Sequence, residues 1–256
     1  MVKGIDLFKE HFKGHVENYR IIGGTAFDVI ITRQGFDPRA TQDIDLIIVL
    51  EKYNTEFNKK LWEFIKDAGY ESLQKDMKEQ CFYRFCKPFN KEYPFQLELI
   101  CRDPNVFHIP ANSNISPIDL DEDFSHLSIM EMDDEYYEFT LNNSIIVDDL
   151  FIASPESLIC LKALAYQNLM RDKKAGKQVN DGNITKHKND VFRLSLLLDQ
   201  TAIDVPENIK NNLESFLVIM EQENPDINNL LRHMKVEIIT LENLITSIRH
   251  KFRIIV

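Results

Sequence analysis

The sequence predicts an α+β protein, with a mixed-sheet amino-terminal domain over residues 1–154 followed by a helical carboxy-terminal region over residues 155–256. Three observations predict it. Short apolar runs bounded by Gly, Pro and Asn recur through the first part of the chain. One of them, Asp43 to Leu50, ends in the continuous LIIVL of a strand covered on both faces. From Ser154-Pro155 onward, apolar residues recur at helical spacing almost to the end.

Taken in order, residues 5–18 read as a helix and 20–22 as a short strand running into Gly23-Gly24. Residues 25–33 read as a helix capped by Thr25, with Asp28 three positions on as a near capping box. The strand over 43–50 is followed by an amphipathic helix over 55–68 that stops near Gly69. Strands are expected over 80–87 and 94–102, joined through Pro88 and Asn90, and again near 126–132, 135–141 and 144–152. Helices are expected over 156–170, 186–199, 207–222 and 226–247, the first two separated by a long loop rich in Lys, Gly and Asn.

Composition narrows the class of protein. The chain has 256 residues, 44% hydrophobic and 28% charged, which is ordinary for a folded globular protein and long enough for a sizeable core. No run approaches the ~18 to 20 apolar residues of a membrane helix, so no span is expected. The segment MVKGIDLFKEHFKGH is broken by charges and has no secretory h-region, which suggests a cytoplasmic protein. Cys81, Cys86, Cys101 and Cys160 form no CxxC pair and read as reduced, mostly packed thiols rather than zinc ligands.

The net charge of −11 disfavours a broad basic surface for duplex nucleic acid, but the charge is unevenly spread. Residues 103–161 hold thirteen acids and no Lys or Arg. Residues 162–193 hold eight Lys or Arg against three Asp, a confined basic patch. A solvated face is the usual fate of such runs.

The residues that carry chemistry are acidic. Asp43 and Asp45, two apart on a strand, project from the same face. In PFQLELIC, Phe95, Leu97 and Leu99 share one face, while Gln96 and Glu98 share the other. If the three carboxylates converge, their repulsion is large: about 4 kcal/mol for two unit charges about 4 Å apart at an effective dielectric of about 20. Mg²⁺, which takes hard oxygen ligands, is the natural counter-charge. Upstream, Gly23, Gly24 and Thr25 join a strand to a helix start, offering close backbone approach, a hydroxyl and the positive end of a helix to a phosphate.

The stretch IIGGTAFDVIITRQGFDPRATQDIDLIIVLE resembles the signature of the nucleotidyltransferase superfamily, the polymerase-beta-like fold. It is most similar to the abortive-infection-type toxin branch, in which Gly-Gly-Thr-Ala opens a helix and an Arg-x-Thr-x-Asp-x-Asp strand follows, as with Arg39, Thr41, Asp43 and Asp45. SPESLICLKALAYQNLMR, with Lys162, and KHKNDVFRL, with Lys188 and Asp190, resemble that branch's later helical motifs, although the second reads Lys-Asn-Asp. The resemblance covers roughly residues 20–195 and leaves the last sixty without a counterpart.

What the resemblance implies is a nucleotidyltransferase-like domain over 1–154, with the helical domain over 155–256 completing the nucleotide site. It implies a Mg²⁺-dependent nucleotidyltransferase, with two ions on Asp43, Asp45 and Glu98, moving a nucleoside monophosphate from an NTP to a hydroxyl and releasing pyrophosphate. Gly23, Gly24, Thr25, Arg39, Lys162, Lys188 and Asp190 would bind the nucleotide. The acceptor would be a protein, a small molecule or an RNA end, and an antitoxin would be a further partner. The alternative within the fold is a nucleotide-binding or toxin–antitoxin interaction module without turnover; outside it, an unrelated α+β interaction protein would bind neither NTP nor Mg²⁺.

Overall fold

The computed structural model describes residues 2–38, 41–77, 80–102, 115–117, 133–234 and 239–254. The chain is α+β. By their contacts these residues divide into two units, one within Met1–Thr32, Pro38–Phe124 and Ser144–Ala153, the other within Arg33–Asp37, Ser125–Asn143 and Ser154–Val256.

The first unit is built on a mixed sheet. Its strands are β1 (Tyr19–Ile22), β2 (Asp43–Ile48), β3 (Glu71–Met77), β4 (Gln80–Cys86), β5 (Gln96–Cys101), β6 (Ile115–Pro117), β7 (Ser144–Val147) and β8 (Leu150–Ala153). Among the described residues they lie in the order β6-β3-β4-β5-β2-β1-β8-β7. β2 sits inside the sheet, antiparallel to β1 and parallel to β5, which explains its apolar run from Leu46 to Ile48.

Alternation along β2 sorts the sheet into two faces. Ile44, Leu46 and Ile48 share one with Tyr19, Ile21, Leu97 and Leu99, all buried. Here α1 (Ile5–His11) and α3 (Thr55–Ala68) supply an aromatic core: the Phe8 ring centroid lies 4.5 Å from that of Phe12, 5.2 Å from Tyr19 and 5.7 Å from Phe64. The other face carries Asp43 and Asp45. α2 (Gly23–Arg33) follows β1 without a loop.

α3 has the expected limits, because Asn54 accepts from Phe57 N–H at 2.9 Å and Gly69 closes the helix at φ 63°. Several expectations are corrected. α2 begins at Gly23, so Thr25 lies inside the helix and does not cap it. The first helix stops at His11, and a 3-10 turn occupies Val16–Asn18. Residues 135–141 are not a strand but part of α4 (Asp134–Asn142), capped by Asp133, which accepts from Tyr136 N–H at 2.9 Å. Tyr136, Tyr137, Phe139 and Thr140 are buried at helical spacing, which outweighs the strand propensity of the aromatic residues.

Residues 144–152 form two strands rather than one. Asp148 and Asp149, both at positive φ (49° and 61°), turn β7 back onto β8. β3 was not expected at all; its mixed polar sequence is strand because β4 and β6 pair with its backbone. The strand expected near 126–132 lies outside the described residues.

The second unit holds α5 (Pro155–Lys174), α6 (Asp181–Ser195), α7 (Glu207–Glu223), α8 (Ile227–Leu230) and α9 (Leu241–Lys251). Ser154 caps α5, accepting from Ser157 N–H at 3.3 Å. α6 starts five residues before the sequence suggested, because Asn180 caps it, and the expected long loop shrinks to residues 175–180. The helix expected over 226–247 is broken into α8, a 3-10 turn at Arg232–Met234 and α9. Ion pairs join the helices: Arg249 donates to Glu214 and Glu221 on α7, and Lys251 to Glu156 and Asp199.

Candidate active site on the acidic face of strand β2

The junction of β1 and α2 is bare backbone for a physical reason. Gly23 has φ +67°, a conformation that costs an L-residue about 1–2 kcal/mol. A Cβ at this position would also stand 1.8 Å from Asp45 Oδ2. Glycine therefore lets the Asp45 carboxylate lie against the start of α2, where the helix dipole favours negative charge.

Pairing fixes what lies beside each acid. Asp45 is opposite Glu98 on β5 and Ile22 on β1; Asp43 is opposite Gln96. Arg84 on β4 is opposite Glu98, so Arg84, Glu98, Asp45 and Ile22 form one row across the sheet. Asp45 is 5% exposed and Asp43 half-buried, while Glu98 is wholly buried. Glu98 is also held: Arg84 Nε donates to its Oε1 at 2.9 Å, Arg84 Nη2 lies 2.9 Å from the same oxygen, and Gln96 Nε2 donates to it at 2.6 Å. Among the described residues, no three His, Cys, Asp or Glu side chains gather as a metal site of that size requires. The register thus brings Asp45 and Glu98 side by side and sets Asp43 one row away.

Thr25, expected to meet phosphate, is wholly buried and donates its hydroxyl to the Asp43 carbonyl. Gly24 is buried in the first turn of α2. Arg39 lies outside the described residues. In the second unit, Lys162 Nζ donates to Asp190 Oδ2 at 2.7 Å, and neither side chain is exposed. This pair joins α5 to α6. Lys188 donates to Glu223 at 3.0 Å and joins α6 to α7; Tyr166 OH donates to the same carboxylate at 2.7 Å. Burial pushes Glu223 upward, but these two hydrogen bonds outweigh it and hold the carboxyl below its ordinary range.

Two neighbours of the acids escaped the sequence reading. For Arg84 the signal is that Tyr83 and Phe85 flank it on the opposite face, which marks it as a cation planted beside an acid. Asp28 read as part of a capping box. It is instead wholly buried, and its Oδ2 accepts from Thr41 N–H at 3.2 Å. An Asp within the apolar run TAFDVII is the signal that points to it.

Fold and site together define an α+β chain with two aspartates of one strand beside a glycine-opened helix. No known protein family matches the chain, and no curated protein matches it. Among solved structures it is similar to an antigenic nucleotidyltransferase-like protein from Paracoccidioides brasiliensis, at 14% identity over 90% of each chain and a TM-score of 0.43. A likeness that slight carries no argument about activity. No described helix is long and apolar enough to cross a membrane.

Proposed function

We propose that the chain is a Mg²⁺-dependent nucleotidyltransferase that moves a nucleoside monophosphate from an NTP to a hydroxyl acceptor. The observation that carries this reading is the contact of Asp45 with Gly23, which sets the Asp43–Asp45 pair beside the start of α2. The donor set fits the ion: Mg²⁺ is commonly bound through one or two carboxylates, with water and substrate phosphates completing its shell. Asp43 and Asp45 would hold it, and Glu98, engaged by Arg84, would stand behind Asp45. When bound, Mg²⁺ offsets the charge of the carboxylates and the triphosphate together. In the transfer, the acceptor oxygen bonds to the α-phosphorus, the bond to the bridging oxygen breaks, and pyrophosphate leaves with that electron pair. Asp43, the more accessible of the two, is suited to take up the hydroxyl proton.

Incubation with each α-labelled NTP and cell extract should label one fraction with Mg²⁺ and none with EDTA. Tight NTP binding without transfer would favour the second reading, a nucleotide-binding module without turnover, which the Arg84–Glu98 pair supports because it engages the third acid. The role as the toxin of a toxin–antitoxin pair rests on the Gly-Gly-Thr-Ala and Asp-x-Asp motifs. It predicts growth arrest on expression that Asp43→Asn abolishes.

A further inference from the structure

α2 grips β2 and the residues leading into it at three points, in opposite chain directions. Gly23 abuts the Asp45 carboxylate. Thr25 Oγ1 donates to the Asp43 carbonyl. Asp28 Oδ2 accepts from the Thr41 N–H at 3.2 Å. Positions 23, 25 and 28 thus meet 45, 43 and 41 in descending order, with successive links two or three residues apart on the helix and two apart on the facing segment. Thr25 and Asp28 are both wholly buried. A buried carboxylate is costly to desolvate, so Asp28 is a poor choice for mere filling of an apolar helix face.

We propose that Asp28 is a positioning residue for the Asp43–Asp45 pair. Its carboxylate anchors Thr41, Thr25 anchors Asp43, and the two bonds fix the pair against the Gly23 turn. Only Gln42 separates Thr41 from Asp43, so a backbone released at Thr41 moves the first acid directly. Asp28 touches no reacting atom in this account. The inference rests on the nucleotidyltransferase reading, in which a misplacement of about 1 Å can cost on the order of 100-fold in rate.

The test compares Asp28→Ala, which removes the acceptor, with Asp28→Asn, which keeps an oxygen able to accept from Thr41. Three readouts are taken on the full chain: amide exchange of the segment 41–45, melting temperature, and kcat and KM for NTP-dependent labelling. The Ala variant should exchange 41–45 at least about 10-fold faster and lose about 10- to 100-fold in kcat, with KM for NTP changed less than about threefold. The Asn variant should restore protection of 41–45 and most of kcat. A lowered melting temperature with unchanged kcat in the Ala variant would overturn the proposal, as would an Asn variant as impaired as Ala. If the wild-type chain transfers no label, it is the nucleotidyltransferase reading that fails; unchanged exchange of 41–45 in Asp28→Ala would then overturn the anchoring on its own.

Discussion

Two groups of buried charge in this protein are organised in opposite ways. In the helical unit, Lys162 and Asp190 meet at 2.7 Å with no exposure, so each charge arrives with its opposite. On β2, Asp43 and Asp45 put two like charges on the same face of one strand, against a glycine turn. The first arrangement is what joining two helices requires. The second sets like charges at alternate positions of one strand, which repel to the extent that other groups do not offset them. Glu98 stands between them in kind: it neighbours Asp45 but is neutralised by Arg84. The opposed pair holds two helices together, and under the proposed function the like-charged strand face is where the ion would sit.

The largest effect should come from the like-charged pair. Asp43→Asn and Asp45→Asn should each cost on the order of 1,000-fold or more in NTP-dependent labelling, and the double variant little more, because residues that act as a unit are not additive. Their melting temperatures without Mg²⁺ should hold or rise as repulsion is relieved. Destabilised variants that still transfer label would collapse the contrast and make these acids structural.

The compensated pair should behave in the opposite sense. Lys162→Ala, which takes the ammonium from the buried Asp190, should lose about 3–5 kcal/mol in denaturant unfolding, whereas the double replacement Lys162→Met with Asp190→Leu should recover much of it. Single variants that unfold like wild type would show that the pair does not hold α5 to α6.

Glu98→Gln sharpens the intermediate case. It removes the Glu98 charge from the buried Arg84 guanidinium, so stability should fall by about 2–4 kcal/mol. If Glu98 only supports Asp45 through the sheet, the folded fraction should keep most of its labelling rate. Loss of labelling equal to that of the Asp variants would make it a third ligand.

The smallest effect is on pH. Glu223 and Glu221 on α7 are both held below the ordinary carboxylate range, the latter by its hydrogen bond from Arg249. Their contribution is therefore present above the unfolded value of about 4.3 and is lost as pH falls through the lower folded values. Exposure and screening keep it below about 1 kcal/mol. Melting scans from pH 7 to pH 3 should show a decline that Lys188→Ala makes shallower; an unchanged slope would mean that Lys188 does not stabilise the Glu223 anion.

The difference between what was legible in the chain and what was not follows the range of the interactions. The helix over 55–68 read correctly, and the strand expected over 43–50 read correctly as far as Ile48, where a 3-10 turn at Leu50–Lys52 soon follows, because their signals are local: an amphipathic repeat closed by Asn54 and Gly69, and a doubly covered apolar run. The shared face of Asp43 and Asp45 was legible for the same reason, since period-two alternation sets it whatever the strand pairs with, whereas the approach of Gly23 to Asp45 was decided by packing. β3 was invisible because Glu71–Met77 is strand only by pairing with β4 and β6, and α4 was misread because only its buried side distinguishes it from an alternating strand. Which neighbour each charge finds was equally beyond the sequence. Sequence pattern gave Asp45 its face, but parallel pairing of β2 with β5 set Glu98 beside it, and antiparallel pairing with β4 gave Glu98 to Arg84. It also took the packed structure to turn Thr25 and Asp28 from a helix cap into hydrogen-bond partners of Asp43 and Thr41 and to bury Lys162 against Asp190, 28 residues away. Local periodicity is encoded residue by residue, whereas a partner distant in the chain is chosen only when desolvation and pairing are settled together in the folded state.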